Sequence, residues 1–423
     1  MDKARKAALS VLDSVFIDES YSNIALDKVF GKFDLRPIDR GFVSAVVYGV
    51  LDRKITLDHI LSNYLKKGTA KTPVTVMNAL RMALYQIMYM DKVPDSAAVN
   101  ESVNLIKASK FKYSASLVNG VLRNVLRDGI TLPSGEDTSS LSVIYSCPEH
   151  IIKELISDYG TETAIEFLKE SLLTPPVFLR VNLLKTTEDE LITRLSSEGI
   201  IAEKCGFPAA LKVVGGIDVK GSACYKDGLF HTEDLSCQRA VSVLGAKPGE
   251  RILDMCSAPG GKAFSMAEDM ENKGEIIACD IYSSRTELIE KGARRLGTDI
   301  VKPTVCDSCE PADLGVFNAI LCDVPCSGYG VIRRKPEIKY KPQNDFSELE
   351  SIQLKIISNA DRYLKPGGRL LYSTCTLRKA ENSGTVSRFL KNHPQYKLKF
   401  EHTFMPQTDC SDGFYCALLE KGR

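Results

Sequence analysis

The sequence predicts an α/β catalytic domain with a doubly wound, mostly parallel sheet, which follows a small α+β module and an all-α N-terminal domain. Three observations predict this order. The first part of the chain has helical periodicity, the middle mixes short strand candidates with helices, and strands alternate with helices from Gly249 onward. The chain has 423 residues, and since domains usually stop growing near ~200 residues, we expect more than one core.

The N-terminal part, residues 1–135, is predicted to be helical throughout. The segments PIDRGFVSAVVYGVLDR and TPVTVMNALRMALYQIMYM each place their apolar residues on one helical face. The residues expected in the core are Phe42, Val46, Val47, Val50 and Leu51 in the first segment, and Val76, Leu80, Leu84 and Ile87 in the second. The stretch TLPSGEDTSS is typical of a linker, so it predicts the end of this domain.

The remaining two domains are predicted over residues 141–235 and 236–423. The first combines helices at PEHIIKELISDYG and TEDELITRLSSEG with a strand candidate at VFLRVN, which indicates a small α+β module. In the second, the strand candidates RILDM, EIIACD, FNAILCD and GRLLYSTCT are separated by helical segments. This alternation is typical of a parallel doubly wound sheet.

The composition is that of a globular protein. Hydrophobic residues make up 44% and charged residues 26%, and no apolar run approaches the ~20 residues of a membrane span. The N-terminus lacks the pattern of a secretory signal, so we expect a cytoplasmic protein whose 13 cysteines are reduced. Residues 1–130 carry 19 Lys and Arg against 13 Asp and Glu, a net charge of +6. This charge suits contact with a polyanion, although an ordinary solvated helical surface explains it equally well.

A strand, a small-residue turn and a helix follow one another in RILDMCSAPGGKAF. Glycines let a ligand approach the backbone, and the free N–H groups at a helix start favour polar or anionic groups. The residues of this turn predicted to bind a cofactor are Cys256, Ser257, Ala258, Pro259, Gly260, Gly261 and Lys262. Because the full GxGxxG spacing is absent, a tight turn without a ligand remains an alternative at this point.

Acidic residues at the ends of later strand candidates extend the predicted cofactor site. Asp280 lies 20 residues beyond Gly260, the usual distance of an acid that binds a ribose hydroxyl pair. Asp307 is expected at the adenine end of the same ligand, and Arg285 and Asp323 complete the predicted set. NAD and S-adenosylmethionine both satisfy this pattern. The turn has a single lysine, which favours the sulfonium cofactor over a pyrophosphate.

Two cysteines are expected at the same edge of the sheet. Cys326 follows the strand that ends at Asp323, and Cys375 ends the next strand. The first, fourth and fifth strands of a doubly wound sheet lie side by side, so these three residues should converge beside the cofactor turn. Both cysteines could instead be core residues. A second alternative is a zinc site, which the spacing of Cys306, Cys309, Cys322 and Cys326 allows.

The motifs DMCSAPGGKA, ACD, DVPCSG and YSTCT, in this order, resemble the NOL/NOP/Sun class of RNA cytosine-5 methyltransferases. The segments RGFVSAVVYGVLDR and LVNGVLRNVLR resemble the NusB-like RNA-binding domain of the subfamily that acts on small-subunit ribosomal RNA, and essentially the whole chain is covered. Two positions depart from the family: His150 stands where a tryptophan is expected, and Glu233 stands where a glutamine is common. Both lie outside the catalytic motifs.

The resemblance implies a Rossmann-like methyltransferase domain that transfers a methyl group from S-adenosylmethionine to C5 of a cytosine, cytosine-967 of 16S ribosomal RNA. It implies that Cys375 attacks C6 of the base and that Cys326 assists release of the product. Asp323, protonated or sharing a proton, would donate to N3 or O2 of the ring. The expected partner is small-subunit ribosomal RNA before full assembly, with no membrane, no metal and no obligate protein partner.

Three alternatives remain open from the sequence. The chain could be an inactive RNA-binding factor, an amine methyltransferase, or an enzyme with the same chemistry on transfer RNA or large-subunit ribosomal RNA. A basic segment after the Pro-Cys motif is expected to contact RNA phosphates, unless it is only a solvated charged loop. Its residues are Arg333, Arg334, Lys335, Lys339 and Lys341, interleaved with Tyr340.

Overall fold

The computed structural model describes residues 2–66, 68–215, 219–341 and 346–423. The chain divides into two compact units. The helical unit comprises Met1–Leu173 and Ile332–Pro342, and the catalytic unit comprises Thr174–Val331 and Gln343–Arg423. Within the described residues, no helix combines the length and apolar character that crossing a membrane requires.

The helical unit confirms the predicted all-α N-terminal part. Its helices are α1 Lys3–Ile17, α2 Ser22–Lys32, α3 Pro37–Ser62, α4 Val74–Tyr89, α5 Asp95–Lys107, α6 Ala115–Asp128, α7 Thr138–Tyr145, α8 Glu149–Tyr159 and α9 Thr161–Glu170. Short 3-10 helices occur at Thr69–Lys71 and Lys112–Ser114. The predicted linker is coil until Asp137, whose side chain accepts hydrogen bonds from the backbone N–H groups of Ser139 and Ser140 and so caps α7.

The predicted apolar faces of α3 and α4 form the centre of the helical core. All of the predicted residues are fully buried except Phe42 and Ile87, which are partly buried against the same core. Gly49 on α3 faces the ring of Tyr85 on α4, and a Cβ at Gly49 would lie 1.9 Å from that ring. The two helices therefore pack closely at this glycine.

The segment Ile332–Pro342 returns to the helical unit and corrects one expectation from the sequence. Its short 3-10 helix, Pro336–Tyr340, packs against α3, and Lys339 is 2% exposed with its Nζ donating to the carbonyl of Asp52 at 3.0 Å. Arg333 is also buried. These two cations are therefore not available to RNA phosphates. Basic segments are usually solvated, but here the burial of Lys339 is compensated by its hydrogen bond to the carbonyl of Asp52.

The phenol of Tyr340 is a second anchor of this segment. Its hydroxyl donates to the carbonyl of Leu51 at 2.7 Å, and its ring lies 6.4 Å from that of Phe16. We expect Tyr340→Phe to lower the free energy of unfolding by about 1 kcal/mol, because a buried hydrogen bond is lost while the ring packing remains. Urea unfolding measures this change. Tyr113→Phe is the matched control, since Tyr113 is 70% exposed, and an equal effect of both changes would contradict the anchor role.

The catalytic unit begins with a four-stranded antiparallel sheet in the order β2-β3-β1-β4. Its elements are β1 Val177–Val181, α10 Glu188–Ser197, β2 Ile201–Lys204, β3 Ala210–Gly215, α11 Ala223–Lys226 and β4 Phe230–Thr232. Helix α10 begins with a capping box in which Thr187 and Glu190 bond reciprocally to each other's backbone N–H groups. The predicted small module thus contains the strand and the second helix expected from the sequence.

A seven-stranded sheet in the order β10-β11-β9-β8-β5-β6-β7 forms the rest of this unit. Its elements are α12 Leu235–Leu244, β5 Arg251–Asp254, α13 Gly261–Asp269, β6 Glu275–Asp280, α14 Ser283–Leu296, β7 Val301–Val305, β8 Phe317–Asp323, α15 Ser347–Ala360, β9 Leu364–Thr374, α16 Ser383–Asn392, β10 Tyr396–Phe404, α17 Pro406–Asp409 and β11 Phe414–Lys421. Strands β5 to β9 are mutually parallel, and β11 and β10 extend the sheet antiparallel to them.

Two apolar cores cover the faces of this sheet. One contains residues of α12, α13 and α14, and the other contains residues of α15 and α16. Helices on both faces of a mostly parallel sheet define a doubly wound fold, which confirms the predicted fold class. The domain limits 1–135, 141–235 and 236–423 stay predictions.

Candidate active site

The predicted site residues lie at the carboxyl ends of the five parallel strands, and the predicted catalytic residues and the cofactor turn lie at three neighbouring ones. Strand β8 lies between β5 and β9, as the doubly wound order predicts. The cofactor turn follows β5, Asp323 ends β8, and Cys375 directly follows β9. Ligands of open α/β sheets bind in this crevice, because the strand order reverses there and the loops diverge.

The turn after β5 is shaped by its own backbone. Gly260 has φ of 107°, and a Cβ at this position would lie 2.4 Å from the ring of Phe264. Its N–H donates to the carbonyl of Ser257, while the N–H of Ser257 donates to the carbonyl of Cys279, both at 2.7 Å. A glycine is therefore required where α13 begins, and the first N–H groups of that helix face the crevice end of the sheet.

A cavity of about 610 Å³ opens beside this turn. Six of the predicted cofactor residues line it: Cys256, Ala258, Asp280, Arg285, Asp307 and Asp323. The other five, Ser257, Pro259, Gly260, Gly261 and Lys262, belong to the turn but are not part of the cavity lining. Ligand pockets usually have volumes of ~300–1,000 Å³, so the cavity is large enough for an adenosine cofactor.

Local contacts fix the side chain of Asp280, the residue predicted to bind the ribose. Asp280 is buried, one carboxylate oxygen accepts the N–H of Tyr282 at 3.1 Å, and the other lies 3.2 Å from the guanidinium of Arg285. Asp307 in turn accepts the N–H of Cys309 at 2.9 Å. Both acids lie on the cavity wall, where they could accept hydrogen bonds from hydroxyl or amino groups of a ligand.

Lys262 and Asp323 form an ion pair at the centre of the site. The ammonium donates to Asp323 Oδ2 at 2.8 Å, and the hydroxyl of Ser373 donates to Oδ1 at the same distance. Burial opposes the charge of the ammonium, but the neighbouring charges of Asp323 and Glu233 raise the pKa of Lys262 well above its usual value. Lys262 is therefore held as an ammonium that donates to Asp323.

Asp254, which the sequence analysis missed, is a buried acid at the end of β5. It is 1% exposed, and its carboxylate oxygens make no hydrogen bond of good geometry among the described residues, although the Ser257 side chain and the Cys256 backbone lie beside them. Burial raises the pKa of Asp254 to about 7, and the charge of Asp323 acts in the same direction. Such a carboxylate is costly to leave unpaired, so it fits a cationic group of a ligand. In the sequence, Asp254 could have been noticed as the acidic residue near the end of the strand candidate RILDM, two residues before the cofactor turn.

The two cysteines lie side by side. Their Sγ atoms are 3.1 Å apart, and both residues are only partly buried. The hydrogen bond with Cys375, together with burial, raises the pKa of Cys326 well above its usual value. Cys326 therefore remains a thiol that can donate to the sulfur of Cys375.

The loop that carries Cys326 is fixed by buried polar groups that the sequence did not reveal. The carboxylate of Glu381 accepts the N–H of Ser327 at 3.0 Å and the side-chain amide of Gln353 at 2.8 Å. Further along, Gly330 donates to the carbonyl of Cys375 at 3.0 Å, and a Cβ at Gly330 would lie 1.9 Å from a neighbouring carbonyl oxygen. The loop is therefore held directly over the end of β9.

The proposed zinc ligands do not converge. Cys322 is fully buried with its sulfur 3.6 Å from that of Met255, while Cys326 faces Cys375. Within the described ranges there is no group of three or more His, Cys, Asp or Glu side chains that could hold a metal ion.

Comparison with known proteins covers the whole chain. The family model 16S rRNA methyltransferase RsmB/F matches residues 241–420, the NusB family model matches residues 2–127, and a ferredoxin-like domain model of RsmF/B-like methyltransferases matches residues 147–220. The crystal structure of PH0851 is similar with a TM-score of 0.85 at 25% identity, covering 100% of this chain and 99% of that chain.

Two curated relatives extend the similarity to the sequence level. The "Probable ribosomal RNA small subunit methyltransferase B" of Bacillus subtilis is 35% identical and covers 99% of each chain. The ribosomal RNA small subunit methyltransferase B of Pasteurella multocida is 30% identical, covering 99% of this chain and 95% of its own. Identity at this level over nearly the full length shows that the chain belongs to the RsmB/F family of methyltransferases.

Proposed function

We propose that this chain transfers a methyl group from S-adenosylmethionine to C5 of a cytosine in small-subunit ribosomal RNA, at cytosine-967 of 16S ribosomal RNA. The observation that carries the proposal is the pair of thiols, Cys326 and Cys375, 3.1 Å apart at the end of β9. One thiol suffices to attack a base, so a second thiol in contact with it favours a reaction with separate attack and release steps. The names of the relatives favour ribosomal RNA as substrate.

The cavity residues fit the cofactor. When bound, S-adenosylmethionine supplies an electrophilic methyl group on a sulfonium. On the cavity wall, Asp280 would accept hydrogen bonds from the ribose and Asp307 from the adenine. Asp254 is not part of the wall but lies buried at the end of β5, directly before the cofactor turn, and would accept from the methionine ammonium. The last assignment is supported by the missing partners of the buried Asp254 carboxylate.

Cys375 would act as the nucleophile. Its thiolate would add to C6 of the cytosine, which removes the aromaticity of the ring and leaves C5 as a carbon nucleophile that takes the methyl group. The pair of Lys262 and Asp323 would deliver a proton toward N3 or O2 as negative charge develops in the ring. The 2.8 Å hydrogen bond from Lys262 to Asp323 supports this assignment, because Asp323 shares a proton with the ammonium through it.

Cys326 would assist the second half of the reaction. The thiol of Cys326 would pass its proton to the sulfur of Cys375 as the C6–S bond breaks and that electron pair returns to Cys375. Cys326 would then take the proton from C5, and the electron pair of the C5–H bond re-forms C5=C6. The thiol of Cys326 lies 3.1 Å from the sulfur that is expelled, so a proton can pass between the two groups. An unpaired or extruded base is required, because stacking in a duplex hides C6 from a thiol.

Mapping 5-methylcytosine in total RNA from cells with and without this protein tests the proposal. We expect one site in small-subunit ribosomal RNA to lose its methyl group in the absence of the protein and to regain it when the purified chain is added with cofactor. A lost site in transfer RNA or large-subunit RNA would overturn the substrate. Methylation of a nitrogen, or RNA binding without any methyl transfer, would overturn the chemistry.

A further inference from the structure

A buried polar network connects the four-stranded sheet of the catalytic unit with the helix that follows the cofactor turn. Its members are Arg180 on β1, His231 on β4, Glu233 just after β4, and Ser265, Glu268 and Asp269 on α13. Five of the six side chains are almost completely buried, and only Asp269 is partly exposed. Buried charges are costly, so a network of this kind needs good mutual contacts to persist.

One face of α13 supplies half of the network. Ser265, Glu268 and Asp269 follow the three- and four-residue spacing that places side chains on the same helical face. Arg180 donates to Glu268 at 3.0 Å and to Asp269 at 2.5 Å, which fixes the end of the helix. Burial raises the pKa of Glu268 to about 7, and His231 lies 3.6 Å from the same carboxylate.

Glu233 contacts the N-terminal half of α13, whereas Arg180 contacts its C-terminal end. One of its carboxylate oxygens accepts the hydroxyl of Ser265 at 2.5 Å and lies 3.6 Å from His231. The other lies 3.2 Å from the point that a Cβ on Gly261 would occupy. The backbone N–H of Glu233 donates to the carbonyl of Phe178 on β1, so the side chain is carried by the small sheet. A carboxylate held there by its own strand limits where the first turn of α13 can lie.

We propose that Glu233 is a positioning residue for cofactor binding, which acts through Ser265 to fix the first turn of α13, Gly261 and Lys262 included. This inference rests on the proposed function, since it takes the turn to be the cofactor site. The four-stranded sheet would then stabilise the cofactor-binding turn, in addition to any contact that it makes with RNA. Glu233 itself is not part of the cavity wall.

Equilibrium binding of S-adenosylhomocysteine to the full chain tests the proposal. We expect Glu233→Ala to raise the dissociation constant about tenfold and Ser265→Ala to do the same. The dissociation constant of the double variant should be no higher than that of either single variant, because each substitution removes the same hydrogen bond between Ser265 and Glu233. Glu233→Gln should restore affinity to within about threefold, since its amide oxygen still accepts the Ser265 hydroxyl.

Hydrogen exchange of residues 257–264 in the ligand-free protein gives a readout that does not depend on activity. We expect faster exchange in Glu233→Ala than in wild type or in the control Glu271→Gln, whose carboxylate is exposed and pairs with Lys273. Unchanged affinity and exchange in Glu233→Ala would overturn the inference, as would a loss of kcat that only follows a loss of folded protein. Failure of the wild-type chain to bind S-adenosylhomocysteine would instead overturn the proposed function.

Discussion

Cys326→Ala should trap the protein on its RNA, whereas Cys375→Ala should form no covalent complex at all. In the first variant the nucleophile remains, so the C6–S bond forms and the methyl group is transferred, but expulsion of the thiol is slowed. In the second variant no bond can form, and we expect methyl transfer to fall by at least ~10³-fold. The sulfur atoms are 3.1 Å apart, so each variant changes the same site, yet one should accumulate the covalent complex and the other should form none.

Denaturing electrophoresis with labelled RNA and S-adenosylmethionine separates the two outcomes, since only a covalent complex survives. Cys410→Ala is the matched control, because Cys410 is an exposed cysteine of the same unit. The double variant, Cys326→Ala with Cys375→Ala, should lose the trapped complex. A trapped complex in Cys375→Ala, or identical behaviour of the two single variants, would contradict the assignment of roles.

Asp254→Asn should weaken cofactor binding and at the same time stabilise the ligand-free protein at neutral pH. Loss of a charge-assisted hydrogen bond is worth about 1.5–3 kcal/mol, so we expect the dissociation constant of S-adenosylhomocysteine at pH 8 to rise roughly 10- to 100-fold. Because the pKa of Asp254 is raised to about 7 by burial, wild-type affinity should fall as the pH falls below 7. The variant should show less of this pH dependence.

The effect of Asp254 on stability has a defined sign. In the ligand-free folded protein this carboxyl keeps its proton up to a pH of about 7, whereas in the unfolded chain it loses the proton near ~4. Wild-type stability therefore falls between these values as the pH rises, by up to ~4 kcal/mol, and Asp254→Asn escapes this loss. Urea unfolding at pH 4 and pH 8 measures it, with the exposed Asp299→Asn as control. Equal stability of variant and wild type at pH 8 would contradict the buried, unpaired state of Asp254.

The sequence was sufficient to predict elements with strong periodicity and residues at strand ends. The parallel strands β5 to β9 and the convergence of Asp323, Cys326 and Cys375 follow from the alternation of elements and the strand order of a doubly wound sheet. Such features depend on local patterns and on a topological rule, so they can be read without coordinates.

Tertiary contacts explain what the sequence could not reveal. Lys339 belongs to a basic segment, yet it is buried because Asp52 accepts its hydrogen bond from a position 287 residues away. Glu233 was noted only as a departure outside the catalytic motifs, whereas it lies beside Gly261 in the folded chain. Neither contact leaves a periodic or spaced pattern, because each depends on how distant elements pack.

The return of Ile332–Pro342 to the helical unit has a consequence for synthesis on the ribosome. Domains generally fold in order as the chain emerges, and the first unit normally completes before the next one is made. Here the N-terminal helices cannot acquire their last anchors, Lys339 and Tyr340, until about four fifths of the chain has been translated. The nascent helical unit must therefore wait, with part of its surface uncovered, for a segment that is encoded far downstream.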